Sequence, residues 1–385
     1  MKFAIFESIS TPGGHEVDFD RLLTEELVAL GHQVVFYVPE DFQFKIDYKV
    51  PVRRLPGRGV SYTGVRGLQK ILLSAKREIN RQRWYRAIYH LALQKDVDAV
   101  IVPTSTYRYL RGLRLSKLKQ SPVPVIFVVH GVNPREAPKF FAAAERLRPY
   151  PHIRMAVLTF GDRLFDRECP NVTCLTPPTY LPRDLAPNHV LPAAGAGDSR
   201  PLVLGFFGQY RREKKLDVFL EAFLQGTYQR PVKLLVQGST MNPDDAADFE
   251  RIIQTYSGRA DVEFLHKGLI GREWQEAIAA VDALLMPYSA PRYRYHWGGM
   301  LFTAIGYKKP VILSDEINPE VLERYQIGLA YDSSRMGALQ ATVEQFINTY
   351  GDRADVYARE LERAYRDYHP RAFANRLADL ARQLS

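Results

Sequence analysis

The sequence predicts an α/β protein built from two doubly wound, Rossmann-like domains, and three observations carry this prediction. Short apolar runs rich in Val, Ile, Leu and Phe alternate with longer amphipathic segments, as expected for parallel strands covered on both faces. Residues 177–201 are rich in Pro, Ala and Gly and interrupt the alternation, which is typical of a linker. The length of 385 residues also suits two domains.

The first domain is predicted to alternate strands and helices from its N-terminus. A stripe of Leu22, Leu23, Leu27 and Leu30, stopped by Gly31, indicates a helix over 18–30. Apolar runs predict strands at 3–7, 34–38, 99–102, 125–129 and 155–158.

The second domain repeats the pattern. Its strands are predicted at 202–207, 233–236, 262–265, 283–286, 311–313 and 329–331. A helix end is predicted at 304–309, and a last helix carries Phe373, Leu377, Leu380 and Leu384 on one face. We therefore predict an N-terminal domain at 1–182, a linker at 183–200, a C-terminal domain at 201–365, and a helix at 366–385 that packs back toward the first domain. Two such domains place a ligand cleft between the carboxyl ends of their strands.

The composition limits the kinds of partner and the cellular compartment that we expect for the protein. The formal charge of +9 favours anionic partners: phosphorylated small molecules, anionic lipid or nucleic acid. No zinc-finger spacing or aromatic RNA-binding signature is present, so nucleic acid is left out of the predicted partners. Cys169 and Cys174 match neither a redox pair nor a zinc site, no apolar run reaches about 20 residues, and a strand begins at once after Met1. These features predict a cytoplasmic protein.

The segment 203–223 combines a strand, a glycine and a cluster of cations. The strand ends at Gly208, where no Cβ hinders a ligand. Arg211, Arg212, Lys214 and Lys215 then precede an amphipathic helix, whose N-terminus favours an anion. This arrangement suits a diphosphate. A strand-helix unit with a solvated basic turn is the alternative.

Two further candidates lie in the first domain. The loop after the first strand contains Gly13 and Gly14, followed by His15 and Glu16, either of which can act as a general base if suitably placed. His130 comes directly after a buried strand, at the ligand-facing edge of an open sheet. A plain glycine turn and a structural histidine are the alternatives.

A third candidate site spans residues 293–306. Gly298 and Gly299 would expose backbone N–H groups at the start of a helix to a phosphate, and Thr303, one turn later, would reach a sugar hydroxyl. A glycine-rich loop with an aromatic core plug is the alternative.

These motifs together, in this order, resemble those of GT-B glycosyltransferases, most closely family 4 (glycosyltransferase group 1) of bacterial polysaccharide assembly. Gly13 to Glu16 matches the GGxE loop, 30–34 its "LxxxGHxV" continuation, 208–222 the donor-diphosphate segment, 281–287 "aDvfvxPS", and 302–311 "lEAmAxGxPV". The resemblance covers nearly the whole chain.

The resemblance implies a metal-independent hexosyltransferase that uses a UDP- or GDP-linked sugar as substrate, with no cofactor. The implied acceptor is a glycan, lipid-linked, in surface polysaccharide or glycolipid assembly. The implied catalytic residues are His130, His15 and Glu16. The implied donor-binding residues are Gly208, Gln209, Arg211, Arg212, Lys215, Gly238, Tyr295, His296, Gly298, Gly299, Met300 and Thr303.

The chain departs from the family pattern at three positions. Gln209 replaces the arginine after the strand-end glycine, and Tyr295 and Thr303 replace the paired glutamates of retaining members. A retaining or inverting outcome is therefore left open. A nucleotide-sugar 2-epimerase and a non-catalytic nucleotide-binding protein are the alternative functions.

A predicted helix at 66–95 is relevant to membrane binding. Leu68, Leu72, Ala75 and Ile79 lie on one side, with Lys70, Arg77 and Arg81 on another, and Trp84 and Tyr85 follow. A basic amphipathic helix of this kind is expected to rest reversibly on anionic lipid, at the inner face of the plasma membrane. A solvated surface helix is the alternative.

Overall fold

The computed structural model describes residues 1–60, 67–159, 169–181, 183 and 200–385, without the side chains of Gly14, His15, Pro291 and Arg292. Arg66 and most of the predicted linker lie outside the described residues. The chain divides into two compact units. The first unit comprises Met1–Pro177, Tyr295–Trp297 and Pro370–Ser385, and the second comprises Pro178–Arg294 and Gly298–His369.

The first unit contains a seven-stranded, wholly parallel sheet. Its strands are β1 (Lys2–Phe6), β2 (Gln33–Pro39), β3 (Val52–Leu55), β4 (Ala99–Ser105), β5 (Val125–Val129), β6 (Ile153–Leu158) and β7 (Val172–Leu175). The order across the sheet is β3-β2-β1-β4-β5-β6-β7. The central strands are apolar on both faces and fully buried, as in a sheet that helices cover twice.

The helices of the first unit follow its strands. They are α1 (Gly14–Ala29), α2 (Leu68–Leu93), α3 (Tyr107–Leu113) and α4 (Ala137–Leu147), with a 3₁₀ turn at Lys117–Gln120. The last helix of the chain, Pro370–Leu384, also belongs to this unit, where Phe373 packs edge-to-face on Phe19 of α1 at 5.7 Å between ring centroids. The first unit is therefore discontinuous in sequence.

The second unit contains a six-stranded parallel sheet. Its strands are β8 (Leu202–Phe206), β9 (Val232–Gln237), β10 (Val262–Leu265), β11 (Ala283–Met286), β12 (Val311–Ser314) and β13 (Gly328–Tyr331), in the order β10-β9-β8-β11-β12-β13. Its helices are α5 (Leu216–Gln225), α6 (Pro243–Tyr256), α7 (Arg272–Ala279), α8 (Pro291–Tyr295, whose last residue belongs to the first unit), α9 (Gly299–Gly306), α10 (Pro319–Arg324) and α11 (Ala338–Asp367), which makes the helix at Pro370–Leu384 α12.

A buried carboxylate fixes the start of the second sheet. Asp282 precedes β11 and accepts two hydrogen bonds from the Arg200 guanidinium, at 2.6 and 2.8 Å, and one from Val203 N–H at 2.8 Å. Its side chain is fully buried, so these donors compensate its charge. Asp282, within the family-like segment 281–287, therefore has a structural role here.

Both sheets have the doubly wound order in which the first strand lies beside the fourth. Loops leaving such a switch point diverge to opposite faces and leave room for a ligand. The switch points fall between β1 and β4 and between β8 and β11. The predicted α/β fold with two parallel sheets is confirmed. Among the described residues, no helix combines the length and the apolar character needed to cross a membrane.

Candidate active site

The β8–α5 loop of the second unit holds a buried cation. Gly208 lies two residues after the end of β8 and has a φ of +103°, a region that favours glycine. Lys214 is only 6 % exposed, and its Nζ lies 3.8 Å from the position that a Cβ on Gly208 would occupy. The ammonium also lies over the rings of Phe206 and Tyr288, at 5.2 and 4.9 Å from their centroids. The loop thus presents a desolvated positive charge beside its glycine.

The neighbouring Lys215 has a different role. Its backbone is left-handed, with a φ of +48°, and it is the N-cap of α5, with its side chain exposed. Left-handed backbone is the conformation that glycine adopts most easily. The resemblance assigned the diphosphate lysine to Lys215, whereas the structure places Lys214 next to Gly208.

The Gly208 amide is already engaged within the second unit. Its N–H donates to Gln237 Oε1 at 2.9 Å, and Gln237 Nε2 donates to Lys267 O at 2.5 Å. Gly238 follows β9 and allows Phe249 to pack closely, since a Cβ there would lie 2.8 Å from Phe249 Cζ. These contacts fix the loop, so anion binding would depend on Lys214 and other donors rather than on the Gly208 amide.

The other polar side chains of the β8–α5 loop form hydrogen bonds with neighbouring residues of the second unit. Arg211 Nη2 donates to Gln209 Oε1 at 3.3 Å, and Gln209 forms a parallel bridge with Ser239. Arg212 Nη2 donates to Asp244 O at 2.8 Å. Arg212 therefore buttresses the start of α6, while Arg211 remains half-buried beside Gln209.

The predicted nucleotide-end residues lie around α9. Gly298 precedes this helix, Gly299 begins it, Met300 is half-buried in its first turn, and Thr303 is 7 % exposed. The Gly298 N–H donates to Asn318 Oδ1 at 3.1 Å. Asn318 is fully buried and left-handed, with a φ of +38°. The Gly298 amide is thus occupied in this structure.

His130 lies at the end of β5 in the first unit. Its Nε2 is 2.9 Å from Pro103 O, and because a carbonyl only accepts, Nε2 carries the proton. Nδ1 is buried, and the ring packs edge-to-face on Phe19 and Trp297 at 4.6 and 5.4 Å. His130 therefore has a fixed orientation and a clear packing role.

The segment Tyr295–Trp297 belongs to the first unit, although the resemblance placed Tyr295 and His296 at the donor. His296 forms an antiparallel bridge with Gly131, and Trp297 N–H donates to His130 O at 2.7 Å. Gly131 has a φ of +138°, and a Cβ there would lie 2.2 Å from Tyr295 O. Only glycine permits this approach.

A cavity of about 200 Å³ opens at the ends of β4 and β5. It is lined by Thr104, Ser105, Thr106, Tyr107, Val129, His130, Gly131, Val132, Glu136, Phe140 and His296. Glu136 Oε2 accepts from Asn133 Nδ2 at 2.8 Å and lies 4.0 Å from His296 Nε2. The cavity combines hydroxyl groups, two imidazoles and a carboxylate with apolar side chains.

The loop after β1 leads into an acidic region. Gly13 caps α1 and Glu16 lies in its first turn, near Gly13, while the side chain of His15 lies outside the described part of the structure. Glu7 directly follows β1 and is fully buried, with Oε1 accepting from Ile9 N–H at 2.7 Å. Burial raises the pKa of the Glu7 carboxyl to about 8, and the charge of Glu16 adds to this.

Asp20 of α1 is also fully buried, and neither of its carboxylate oxygens has a hydrogen-bond partner within the described chain. Burial, together with Glu7 and Glu16, raises its pKa. Within the described chain, no group of three or more His, Cys, Asp or Glu residues could hold a metal ion.

Four residues escaped sequence reasoning as site residues: Glu7, Lys214, Gln237 and Asn318. Glu7 was assigned to a buried strand. The presence of an ionisable residue at the end of that predicted strand was the signal for a further role. Lys214 was noted as part of the basic cluster. Its position in the sequence, six residues after Gly208, was the available signal. Gln237 and Asn318 act through hydrogen bonds spanning 29 and 20 residues, which no local pattern reveals.

Two parallel, doubly wound sheets in one chain are the arrangement expected of the GT-B fold. Residues 192–363 match the family described as Glycosyl transferases group 1. The matched segment is a group 1 glycosyltransferase domain, which confirms the recognition made from the motifs, and the protein is a glycosyltransferase. No curated protein matches the chain.

Solved structures agree on the fold. The chain is similar to Anabaena HepE in complex with UDP and glucose, at 14 % identity and a TM-score of 0.68, with both chains covered completely. It is similar to sucrose-phosphate synthase from Thermosynechococcus elongatus, at 14 % identity, a TM-score of 0.68, and coverage of 100 % and 98 %. The lipopolysaccharide outer core galactosyltransferase WaaB shares 15 % identity, with a TM-score of 0.60 and coverage of 98 % and 99 %.

Proposed function

We propose that the protein transfers a hexose from a nucleoside-diphosphate sugar, UDP-linked, to a hydroxyl of a glycan acceptor. The observation that carries this proposal is the buried Lys214 ammonium beside Gly208, over the rings of Phe206 and Tyr288. A nucleotide sugar reacts by releasing its diphosphate, on which negative charge develops. A preorganised cation held away from water stabilises that charge more than it stabilises the ground state.

The second unit supplies further support for an anionic leaving group. α5 begins at Leu216, two residues after Lys214, so the positive end of its dipole adds to the ammonium charge. Gly298, Gly299, Met300 and Thr303 remain the proposed nucleotide end of the site. Cations and helix termini neutralise the diphosphate in this proposal, and no step uses a divalent metal. HepE is known in complexes with UDP and glucose and with UDP-glucose, and the likeness to it favours UDP as the nucleotide.

The first unit is proposed to act on the acceptor side of the reaction. His130, Glu16 and His15 stay the proposed residues of the reacting centre. Because His130 Nε2 donates to a carbonyl and Nδ1 is buried, we favour His130 as a residue that positions substrate over a general base. Tyr295 and Thr303 replace the paired glutamates of retaining family members. The proposal therefore includes both retention and inversion of the anomeric configuration of the sugar.

The acceptor is proposed to be a lipid-linked glycan of bacterial surface polysaccharide or glycolipid assembly. The WaaB likeness supports such a setting, since that protein is named for the lipopolysaccharide outer core. The N-terminal half of α2 supports it more directly. Leu68, Ile71, Leu72 and Ile79 are 79, 66, 69 and 54 % exposed on this helix. Trp84 and Tyr85, by contrast, are buried in the core and take no part in a lipid contact.

Cations lie beside this exposed apolar row. Lys70 and Lys76 are exposed on the same turns of α2, so the surface suits the boundary between headgroups and acyl chains of an anionic bilayer. The protein would then sit on the cytoplasmic face of the membrane. We expect peripheral binding that weakens with salt, because screening acts on the cations while the apolar contribution alone is small.

A ligand panel tests the donor. Thermal unfolding is measured with UDP, GDP, ADP, UDP-glucose and UDP-galactose, and a ligand of the native state raises the melting temperature by mass action. The donors that bind are then incubated with the protein, with and without lipid-linked glycan acceptors. Transfer only with acceptor supports the proposal. Conversion of the nucleotide sugar alone would identify a 2-epimerase, and binding without transfer to any acceptor would leave a nucleotide-binding protein.

Vesicle flotation tests the membrane contact. Wild-type protein should float with vesicles of anionic phospholipid at low salt and less at high salt. The double variant Ile71→Ser, Leu72→Ser should float less at every salt concentration, whereas Met336→Ser, a control at a residue 99 % exposed in the second unit, should behave as wild type. Equal flotation of the double variant and wild type would contradict the role of α2.

A further inference from the structure

We propose that Tyr293 is a movable cover over the Lys214 ammonium, and that its hydrogen bond to Glu213 breaks before a diphosphate reaches this lysine. The inference rests on the proposed function, which assigns the diphosphate of the donor to Lys214. Tyr293, Glu213 and Lys214 all belong to the second unit.

The burial of Lys214 requires a movement. A phosphate oxygen has to come within about 2.7–2.9 Å of an ammonium nitrogen to form a charge-assisted hydrogen bond. Lys214 is only 6 % exposed, and its ammonium lies over the rings of Phe206 and Tyr288. Little of this side chain is open to an anion, so close contact with a diphosphate requires a neighbouring side chain to give way.

The two rings beside the ammonium are held firmly. Phe206 is the last residue of β8 and is fully buried. Tyr288 follows β11, is 5 % exposed, and its carbonyl accepts a hydrogen bond from Ser314 Oγ at 2.9 Å. Buried groups at the ends of central strands open with the core, at a high free energy. Neither ring is therefore the part that moves.

Tyr293 is held less firmly than these rings. It is half-buried on α8, a helix of five residues, which is too short to be stable by itself. Its ring lies 4.7 Å from the ring of Tyr288, and its hydroxyl donates to Glu213 Oε1 at 3.3 Å. Glu213 directly precedes Lys214 in the chain. Tyr293 thus connects the ring over the ammonium with the residue beside it.

The hydrogen bond between Tyr293 and Glu213 is weak enough to break on binding. Its length of 3.3 Å exceeds the range of about 2.5–3.0 Å for O–H···O bonds, and the Glu213 side chain is 42 % exposed. Arg211 Nη1 lies 3.9 Å from the same carboxylate oxygen. The carboxylate therefore keeps a charged partner when the tyrosine leaves, which makes the open arrangement accessible.

Lysine acetylation measures access to Lys214 without any nucleotide. The protein is treated with N-hydroxysuccinimidyl acetate at mildly alkaline pH, and peptide mass spectrometry compares Lys214 with Lys233, an exposed lysine of the same unit. Tyr293→Phe removes the hydrogen bond, and Glu213→Gln weakens it by removing the charge of the acceptor. Each variant should accelerate acetylation of Lys214 by roughly three- to tenfold, the effect of losing one modest hydrogen bond, and should leave Lys233 unchanged.

Isothermal titration calorimetry with UDP connects the movement to the donor. Both variants should bind UDP roughly three- to tenfold more tightly than wild type, because apparent affinity rises with the fraction of protein in the binding-competent state. Asp217→Asn is the matched control. It removes an exposed carboxylate of α5 that lies 3.6 Å from Arg251, and it should change neither acetylation nor affinity. Melting temperatures near that of wild type show that all three variants are folded.

The two variants separate movement from charge. A purely electrostatic effect would tighten UDP binding in Glu213→Gln alone, and that result overturns the inference. Weaker UDP binding by Tyr293→Phe, or acetylation of Lys214 at the wild-type rate in either variant, overturns it too. If UDP protects Lys214 of the wild type while the variants are acetylated like wild type, the proposed function is supported and the cover is wrong. If no nucleoside diphosphate binds but acetylation responds as stated, the proposed function fails and the cover over Lys214 stands.

Discussion

The two units share one topology but carry opposite kinds of ionisable side chain, acids and bases, at the same topological position. In each sheet, the loop after the first strand of the doubly wound order leads into a helix beside the switch point. In the first unit this segment carries the acids Glu7, Glu16, Asp18 and Asp20. In the second unit it carries the bases Arg211, Arg212, Lys214 and Lys215. The fold therefore fixes where a ligand can bind, and the side chains placed there decide its charge.

Substitution of the strand-end glycines, Gly131 in the first unit and Gly208 in the second, should give the largest difference in the free energy of unfolding. Gly131→Ala forces a Cβ to within 2.2 Å of Tyr295 O at a φ of +138°, and we expect a loss of roughly 2–5 kcal/mol from overpacking and left-handed strain together. Gly208→Ala has a φ of +103° but meets nothing closer than 3.8 Å, so only strain of about 1–2 kcal/mol is expected. Urea unfolding measures both. Equal losses would show that the backbone contact of Gly131 has no special weight.

The acidic segment of the first unit predicts a dependence of stability on pH. The pKa of Glu7 is raised to about 8 from an ordinary value of 4.5. The folded state holds the proton more tightly than the unfolded chain between these values, so the free energy of unfolding falls as the pH rises from 4.5 to 8. Glu7→Gln should remove this loss, on the order of 3 kcal/mol between pH 5 and pH 8. Urea unfolding of wild type and variant across this range decides the matter. A variant with the wild-type pH dependence would contradict the assignment to Glu7.

The basic segment of the second unit predicts a loss of binding. Lys214→Met keeps the length of the side chain and removes the charge, so UDP affinity should fall by about 1–3 kcal/mol, roughly 5- to 150-fold, the range for hydrogen bonds to charged groups. Lys215→Met is the matched control and should bind UDP nearly as wild type does, because Lys215 is exposed. Isothermal titration calorimetry gives both values. The reverse ranking would return the diphosphate role to Lys215, the residue first assigned from the resemblance.

The smallest predicted effect also concerns Lys215. Its φ of +48° strains a residue with a Cβ, so Lys215→Gly should stabilise the second unit by up to about 1 kcal/mol. The gain is partly offset because glycine is freer in the unfolded chain. A shift of a few degrees in melting temperature would measure it. A clear decrease would mean that the Lys215 side chain makes contacts that outweigh the strain.

The sequence predicts the central strands well and the edges of the first sheet poorly. The predicted strands at 125–129 and 283–286 have the same bounds in the structure, because buried central strands are continuous apolar runs. The edge strand of the second sheet at 262–265 was also predicted with its bounds. β3 (Val52–Leu55) and β7 (Val172–Leu175) were not predicted. Both are four-residue edge strands, and Val52, Arg53 and Arg54 are exposed, so no apolar run signals them.

The loops of the candidate site were predictable in position but not in detail. Glycines and cations predicted loops at the carboxyl ends of parallel strands, and the structure has loops there. The choice between Lys214 and Lys215 depended on a single left-handed residue, which no periodicity reveals. The hydrogen bonds that occupy the Gly208 and Gly298 amides come from Gln237 and Asn318, distant in sequence.

The discontinuity of the first unit has a consequence for biosynthesis. α12 completes this unit by packing Phe373 against Phe19 of α1, yet every residue of the second unit is translated before α12. Domains usually fold in the order in which the ribosome releases them. Here the second unit emerges whole while the first waits with an apolar face of α1 uncovered. A nascent chain halted after residue 369 should therefore bind chaperones through the first unit. Synthesis of the fifteen residues of α12 should then allow the chaperones to dissociate.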